Sequence, residues 1–91
     1  MSNKKIKNGF IARKVGGNRV VVATGEASRQ FSGVIHLNGC GGLLWDVLTK
    51  GADRTTLVAA VLDTYDIDRT TAEKDVDSFV STLREAGVLD D

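Results

Sequence analysis

The stretch Phe31-Ser32-Gly33-Val34-Ile35-His36-Leu37-Asn38-Gly39-Cys40-Gly41-Gly42-Leu43-Leu44-Trp45-Asp46-Val47-Leu48 changes its hydrophobic period in the middle. Up to Leu37 the period is two. Phe31, Ile35 and Leu37 fall on one face and Ser32, Val34 and His36 on the other, which predicts a strand over residues 31–37 with one apolar and one mixed face. Asn38 is a good helix N-cap, because its side-chain oxygen can accept an orphan backbone N–H. After it, Leu43, Leu44, Val47 and Leu48 recur at helical spacing beside Trp45, which predicts a helix ending at Gly51.

Working toward the N-terminus, Gly16-Gly17-Asn18 separates two β-rich runs, Phe10–Val15 and Arg19–Ala23, and reads as the loop of a hairpin. The run Val20-Val21-Val22 is expected to be a well-buried strand. Met1 to Asn8 carries three lysines with no apolar stretch after them, so a secretory signal is not expected. Residues 1–9 are expected to be a flexible tail ahead of a single domain over 10–91.

Working toward the C-terminus, Asp53 can cap a second helix whose apolar positions are Leu57, Val58, Val61, Leu62 and Tyr65. Thr70 and Glu73 have the spacing of a capping box for a third. Ala72, Val76, Phe79, Val80 and Leu83 form its apolar stripe, and Gly87 suits the position just past its end. Three strands followed by three helices predict an α+β fold, a three-stranded antiparallel sheet packed on a helical cluster. Such a sheet leaves edges whose unpaired N–H and C=O groups are open to an extended chain.

The composition, 42% hydrophobic and 26% charged, is that of an ordinary globular domain. No apolar run approaches the roughly 18–20 residues of a membrane span. One cysteine makes no intramolecular disulfide, and a reducing cytoplasm is the expected compartment. Net charge is zero but uneven: residues 1–50 carry eight Lys and Arg against two Asp and Glu, residues 51–91 four against ten. A basic sheet beside an acidic helix suits a peptide of mixed or positive charge better than a phosphate backbone, so no nucleic-acid partner is expected.

No residue set reads as catalytic. His36 is the sole histidine and Cys40 stands four residues on, but two ligands do not make a metal site. Cys40 as a nucleophile would need an arranged base and orienting group. Gly39-Cys40-Gly41-Gly42 lacks the Lys-Ser/Thr of a phosphate loop, and Leu44 stands where the third glycine of G-x-G-x-x-G belongs, so close packing at a helix start is the expected role. Trp45 has no interleaved basic residues and is not expected to stack on bases. Asp63, Asp66, Asp68, Glu73, Asp75 and Asp77 lack EF-hand spacing. No metal and no cofactor is expected, and the chain is not expected to be an enzyme.

Leu37-Asn38-x-x-Gly41-x-Leu43-Leu44-Trp45-Asp46-Val47-Leu48 resembles the LNxTGxxIWxLL signature of PqqD-like proteins. Tyr65-Asp66-Ile67-Asp68 resembles that family's YDVD turn, and Asp75-Val76, Phe79, Leu83 and Gly87-Val88-Leu89 its DVxxFxxxLxxxGLL helix. The resemblance spans residues 10–90. It departs at Gly39, Cys40 and Gly42, where Glu, Thr and Ala are common, which loosens the first helical turn.

The resemblance implies a winged-helix-like RiPP recognition element. Such a peptide chaperone binds the leader segment of a ribosomally made precursor peptide and presents it to a modifying enzyme, such as a radical S-adenosylmethionine protein. It implies that the leader adds beside the third strand, with Val34, Ile35, His36 and Leu37 on the strand and Asp75, Ser78, Phe79 and Thr82 on the third helix as peptide-binding residues. Asp75 and Ser78 are expected at the solvent rim, whereas Phe79 also fits the core. Strand addition is a known mode of peptide recognition, and replacing Ile35 with Pro would remove a backbone donor from it. Alternatives are a winged-helix DNA-binding module, a small regulatory subunit of an enzyme, and a homodimer formed through the same strand edge.

Overall fold

A computed structural model describes residues 3–25 and 35–90. The elements in order are β1 (Lys5–Ile6), β2 (Phe10–Val15), β3 (Asn18–Ala23), β4 (Ile35–Leu37), α1 (Gly39–Thr49), α2 (Arg54–Thr64), α3 (Arg69–Glu85) and β5 (Leu89–Asp90). The strand expected over 31–37 is described from Ile35 onward; Phe31 to Val34 lie outside the described residues.

Strands β2, β3 and β4 form an antiparallel sheet in that order. The hairpin between β2 and β3 is one residue tighter than the sequence suggests: Val15 pairs with Asn18 across a two-residue Gly16-Gly17 loop. Gly16 takes φ +63° while Gly17 has no positive φ, the pattern of a type II′ turn, whose twist matches that of the flanking strands. Of the valine run, Val21 alone is fully buried; Val20 and Val22 are half-buried. The helices cover one face of the sheet, so a β-branched run gains full burial only at alternate positions. On the other face Ile11 and Val15 remain 42% and 60% exposed.

Caps set the helix boundaries. Asn38 Oδ1 accepts the Gly41 N–H at 2.7 Å and Asp53 Oδ1 the Thr56 N–H at 2.8 Å, as their sequence positions predict. The third start differs. Asp68 Oδ1 accepts the Thr71 N–H at 3.0 Å, so Thr70 lies inside the first turn of α3 and makes no capping box with Glu73. At the other end Gly87 has φ +76°; its N–H reaches Arg84 O at 3.1 Å, and Val88 N–H reaches Leu83 O at 3.0 Å. Those two bonds form a Schellman motif, and the buried pair Leu83 and Val88 supplies its hydrophobic contact.

The reversed chain brings β5 back to β1, where Ile6 pairs with Leu89 and Lys5 with Asp90. Lys4 and Ala52 exchange backbone hydrogen bonds, each at 2.8 Å. The segment expected to be a flexible tail is therefore paired from Lys4 to Lys7, and Ile6 belongs to the core. The physical reason is the apolar Ile6, which gains more by covering the end of the helical cluster than by solvation.

The core joins Val21 and Leu37 of the sheet to Leu44, Trp45 and Leu48 of α1, Leu57, Val58 and Val61 of α2, and Ala72, Val76, Val80 and Leu83 of α3. Trp45 is 2% exposed and is a core residue. The result is an α+β fold of winged-helix-like arrangement.

Candidate functional site

Strand β4 runs into α1 through a single residue, Asn38, and its other flank is open: among the described residues it pairs with β3 alone. Which of its backbone groups face that open flank follows from the hairpin. In a two-residue hairpin the closing pair, here Val15 and Asn18, exchanges hydrogen bonds, and bonded pairs then alternate along the ladder. The Thr24 N–H donating to Gly9 O at 2.6 Å keeps this phase. Even-numbered residues of β3 therefore bond to β2 and odd-numbered ones face β4. Arg19 pairs with Leu37 and Val21 with Ile35, so Ile35 and Leu37 direct their N–H and C=O groups at β3. His36 directs its own at the free edge. Ile35 thus donates within the sheet, and His36 carries the backbone group open to another strand.

Beside this edge lies a groove of about 310 Å³, lined by Ile35, His36, Asn38, Cys40, Gly41, Leu44, Asp75, Ser78, Phe79 and Thr82. Asp75, Ser78, Phe79 and Thr82 stand at i, i+3, i+4 and i+7, so one face of α3 forms the far wall. Of the eight residues singled out from the sequence, Ile35, His36, Asp75, Ser78, Phe79 and Thr82 are brought together here. Leu37 is not among the lining residues: it is 4% exposed and packs into the core, because its side chain shares the helix-covered face of the sheet. Val34 lies outside the described residues. Phe79 is half-buried, packing against the core while lining the groove. Asp75 and Ser78 are exposed at the rim.

The sequence reading missed Asn38, Cys40, Gly41 and Leu44 as lining residues. Cys40 and Leu44 are four apart on α1, so they share a helix face, and that spacing was the available signal. The glycines around them are places of close approach. A Cβ on Gly39 would lie 3.1 Å from the Tyr65 hydroxyl, one on Gly41 3.3 Å from Phe79 Cε1, and one on Gly42 3.1 Å from Arg19 Nη1. The room at Gly42 lets the Arg19 guanidinium lie along α1 and grip Asp46 with two bonds, Nη2 to Oδ1 at 2.8 Å and Nη1 to Oδ2 at 3.1 Å. That fork ties β3 to α1.

Electrostatically the groove is acidic at one point. Among the described residues Asp75 is its sole carboxylate, and no described Lys or Arg lines it. The Cys40 thiol is pushed up from its ordinary value, first by burial and then by the charge of Asp75, which disfavours the nucleophilic thiolate. Among the described residues, no group of three or more His, Cys, Asp or Glu is placed to hold a metal ion, and no helix is long and apolar enough to cross a membrane.

Two solved structures share this fold. One is described as "Lasso peptide synthetase B1 complexed with the leader peptide"; it superposes with a TM-score of 0.77 at 19% identity, covering 97% of this chain and 98% of that one. The other is described as "TbiB1 in Complex with the TbiA(beta) Leader Peptide", with a TM-score of 0.76 at 22% identity and 94% of each chain covered. A search of curated protein sequences gives no significant match. The family model for coenzyme PQQ synthesis protein D matches residues 19–89, from the β3 arginine that grips α1 to the β5 leucine that closes the core. The chain that builds this edge and groove belongs to the PqqD family.

Proposed function

We propose that this chain binds the leader segment of a ribosomally synthesised precursor peptide and presents the peptide to a separate modifying enzyme. The leader adds as a strand along the free edge of β4, and its inward side chains enter the groove between β4 and α3. The observation that carries this reading is the conjunction of the two: an unpaired edge whose outward backbone group is His36, bordering a groove walled by Ile35, Leu44 and Phe79. Main-chain pairing supplies affinity and the groove supplies selectivity. That both similar structures are described as leader-peptide complexes supports a peptide as the occupant.

In this reading the chemistry belongs to the partner, for which the family resemblance suggests a radical S-adenosylmethionine enzyme, and the meeting takes place in the cytoplasm. The raised pKa of the Cys40 thiol fits a groove that holds a peptide rather than attacks one. Pairing of two copies through β4 is the competing use of the same edge.

The test is titration of isotope-labelled protein with the leader of a short precursor peptide encoded beside its gene, followed by amide shifts. Changes concentrated at residues 33–37 and 75–82 are expected. Changes confined to other surfaces, or a leader that leaves a β4-paired dimer intact, overturn the proposal.

A further inference from the structure

Of the carboxylates on α3 and its cap, Asp75 alone is among the groove-lining residues; Glu85, at the helix end, is not. Asp68 caps the helix, and Glu73 and Asp77 meet Arg54 of α2 at 3.9 and 2.8 Å. Each of these already has a partner. Asp75 makes no hydrogen bond or ion pair among the described residues and stands exposed on the groove wall. Its charge is felt by Cys40 across the groove.

We infer that the peptide accepted by this groove places a Lys or Arg side chain against Asp75 and an apolar side chain two residues away against Phe79. This inference rests on the leader-binding reading and specifies what that peptide must contain. Inward side chains of an added strand recur every second residue, roughly 6.6 Å apart. Asp75 and Phe79 are one helical turn apart, which is about 6 Å along α3. A strand running along α3 therefore brings successive inward side chains to the carboxylate and to the ring. The ring, with Ile35 and Leu44, offers apolar surface alone.

The charge decides the other position. While the groove is open, water solvates Asp75. A bound strand covers it, and a carboxylate covered without a counter-charge is destabilising. A cationic side chain offsets that loss, a neutral one does not, and an acidic one adds repulsion. Among the described residues no Lys or Arg in the groove wall competes for the carboxylate. The contact also fixes register, since a slip by one residue turns the cation to the outer face.

The test uses the full chain as bait for a phage-displayed library of random 12-residue peptides, with Asp75→Asn and Asp75→Lys in parallel and Asp63→Asn as a charge control outside the groove. Binders that shift the amides of Ile35–Leu37 are synthesised with Lys, Gln or Glu at the enriched position and titrated. The native chain is expected to enrich Lys or Arg two residues from an apolar side chain. The Lys peptide is expected to bind it roughly tenfold more tightly than the Glu peptide, the range of a covered charge pair. Asp75→Asn is expected to erase the preference, Asp75→Lys to reverse it, and Asp63→Asn to leave it unchanged. Binders that shift β4 with no charge preference, or with one indifferent to Asp75, overturn this inference while the leader-binding reading stands. If no binder shifts β4, the leader-binding reading fails first and the inference with it.

Discussion

The Phe79 ring rests against the one residue of α1 that leaves it room: a Cβ on Gly41 would lie 3.3 Å from Phe79 Cε1 and 3.2 Å from Asn38 Oδ1. Gly41 thus sets how deeply the ring sits and how open the groove is. In Gly41→Ala the ring must yield by a few tenths of an ångström, and it can, because Phe79 is half-buried and its free side is the groove. A helical Gly→Ala change gains up to about 1 kcal/mol of helix propensity, which offsets the crowding. The expected result is stability within about 1 kcal/mol of the native chain in urea titration, together with weakened leader binding in the same sample. Undiminished binding would show that the depth of the ring does not govern the groove.

His36→Pro should separate the edge from the sheet. The His36 N–H faces away from β3, so its loss leaves the ladder of β3 and β4 intact, and proline is tolerated at such an edge position. A net hydrogen bond is worth about 0.5–1.5 kcal/mol, so leader affinity is expected to fall roughly three- to tenfold from the lost bond alone. His36→Ala keeps the N–H and is the control. Ile35→Pro strikes the N–H that bonds to Val21 and is expected to destabilise the sheet itself. Equal loss of binding in His36→Ala and His36→Pro would place the effect in the imidazole instead of the backbone.

Ile6→Ala tests the N-terminal pairing. Ile6 is 8% exposed and lies in the core beside Leu89. Truncating a buried isoleucine costs roughly 2–5 kcal/mol, and the lower half of that range is expected for a two-residue strand at the margin of the domain. Lys5→Ala, on the exposed side of the same strand, should stay within about 0.5 kcal/mol. Equal, small effects at both positions would return the segment to a frayed tail.

The parts of the fold that were legible in the sequence are those written locally. The shift from period two to helical period at Asn38, the caps at Asn38 and Asp53, the stop at Gly87 and the stripe Ala72, Val76, Val80 and Leu83 each lie within a few residues of chain, and the structure keeps them. The pairing of Ile6 with Leu89 joins the two ends of the chain and leaves no periodic trace near Ile6. The cap of α3 was ambiguous for another reason: Asp68 and Thr70 are both good cap residues, and the choice depends on where partly buried Tyr65 and Ile67 anchor the connection. In the groove, α3 was legible because its face repeats at i, i+3, i+4 and i+7. Leu37 was misplaced although the two-residue period already put it on the apolar face, which the helices cover. The open donor was assigned to Ile35 because the exact hairpin phase sets which backbone groups face outward. Counting a three-residue loop where two residues suffice hides that phase.

Acid should weaken the fold through three carboxylates. The Thr56 N–H holds Asp53 below its ordinary value, Thr71 does the same for Asp68, and the Arg54 fork, at 2.8 and 3.1 Å, does so for Asp77. A carboxylate whose folded pKa is depressed binds its proton more readily in the unfolded chain. Its contribution is therefore fully present above the unfolded value of about 3.9 and is lost as pH falls through the lower folded values. Urea midpoints should show this carboxylate contribution as constant between pH 7 and 5, with stability declining below about pH 4. Replacing Asp53 and Asp68 together with Asn keeps two good caps, since the amide oxygen still accepts the N–H, but removes both titrations. The variant should unfold normally at pH 7 and lose less stability than the native chain between pH 4 and 2. An acid slope equal to that of the native chain would mean that these two caps act through geometry alone and that the titrating groups lie elsewhere.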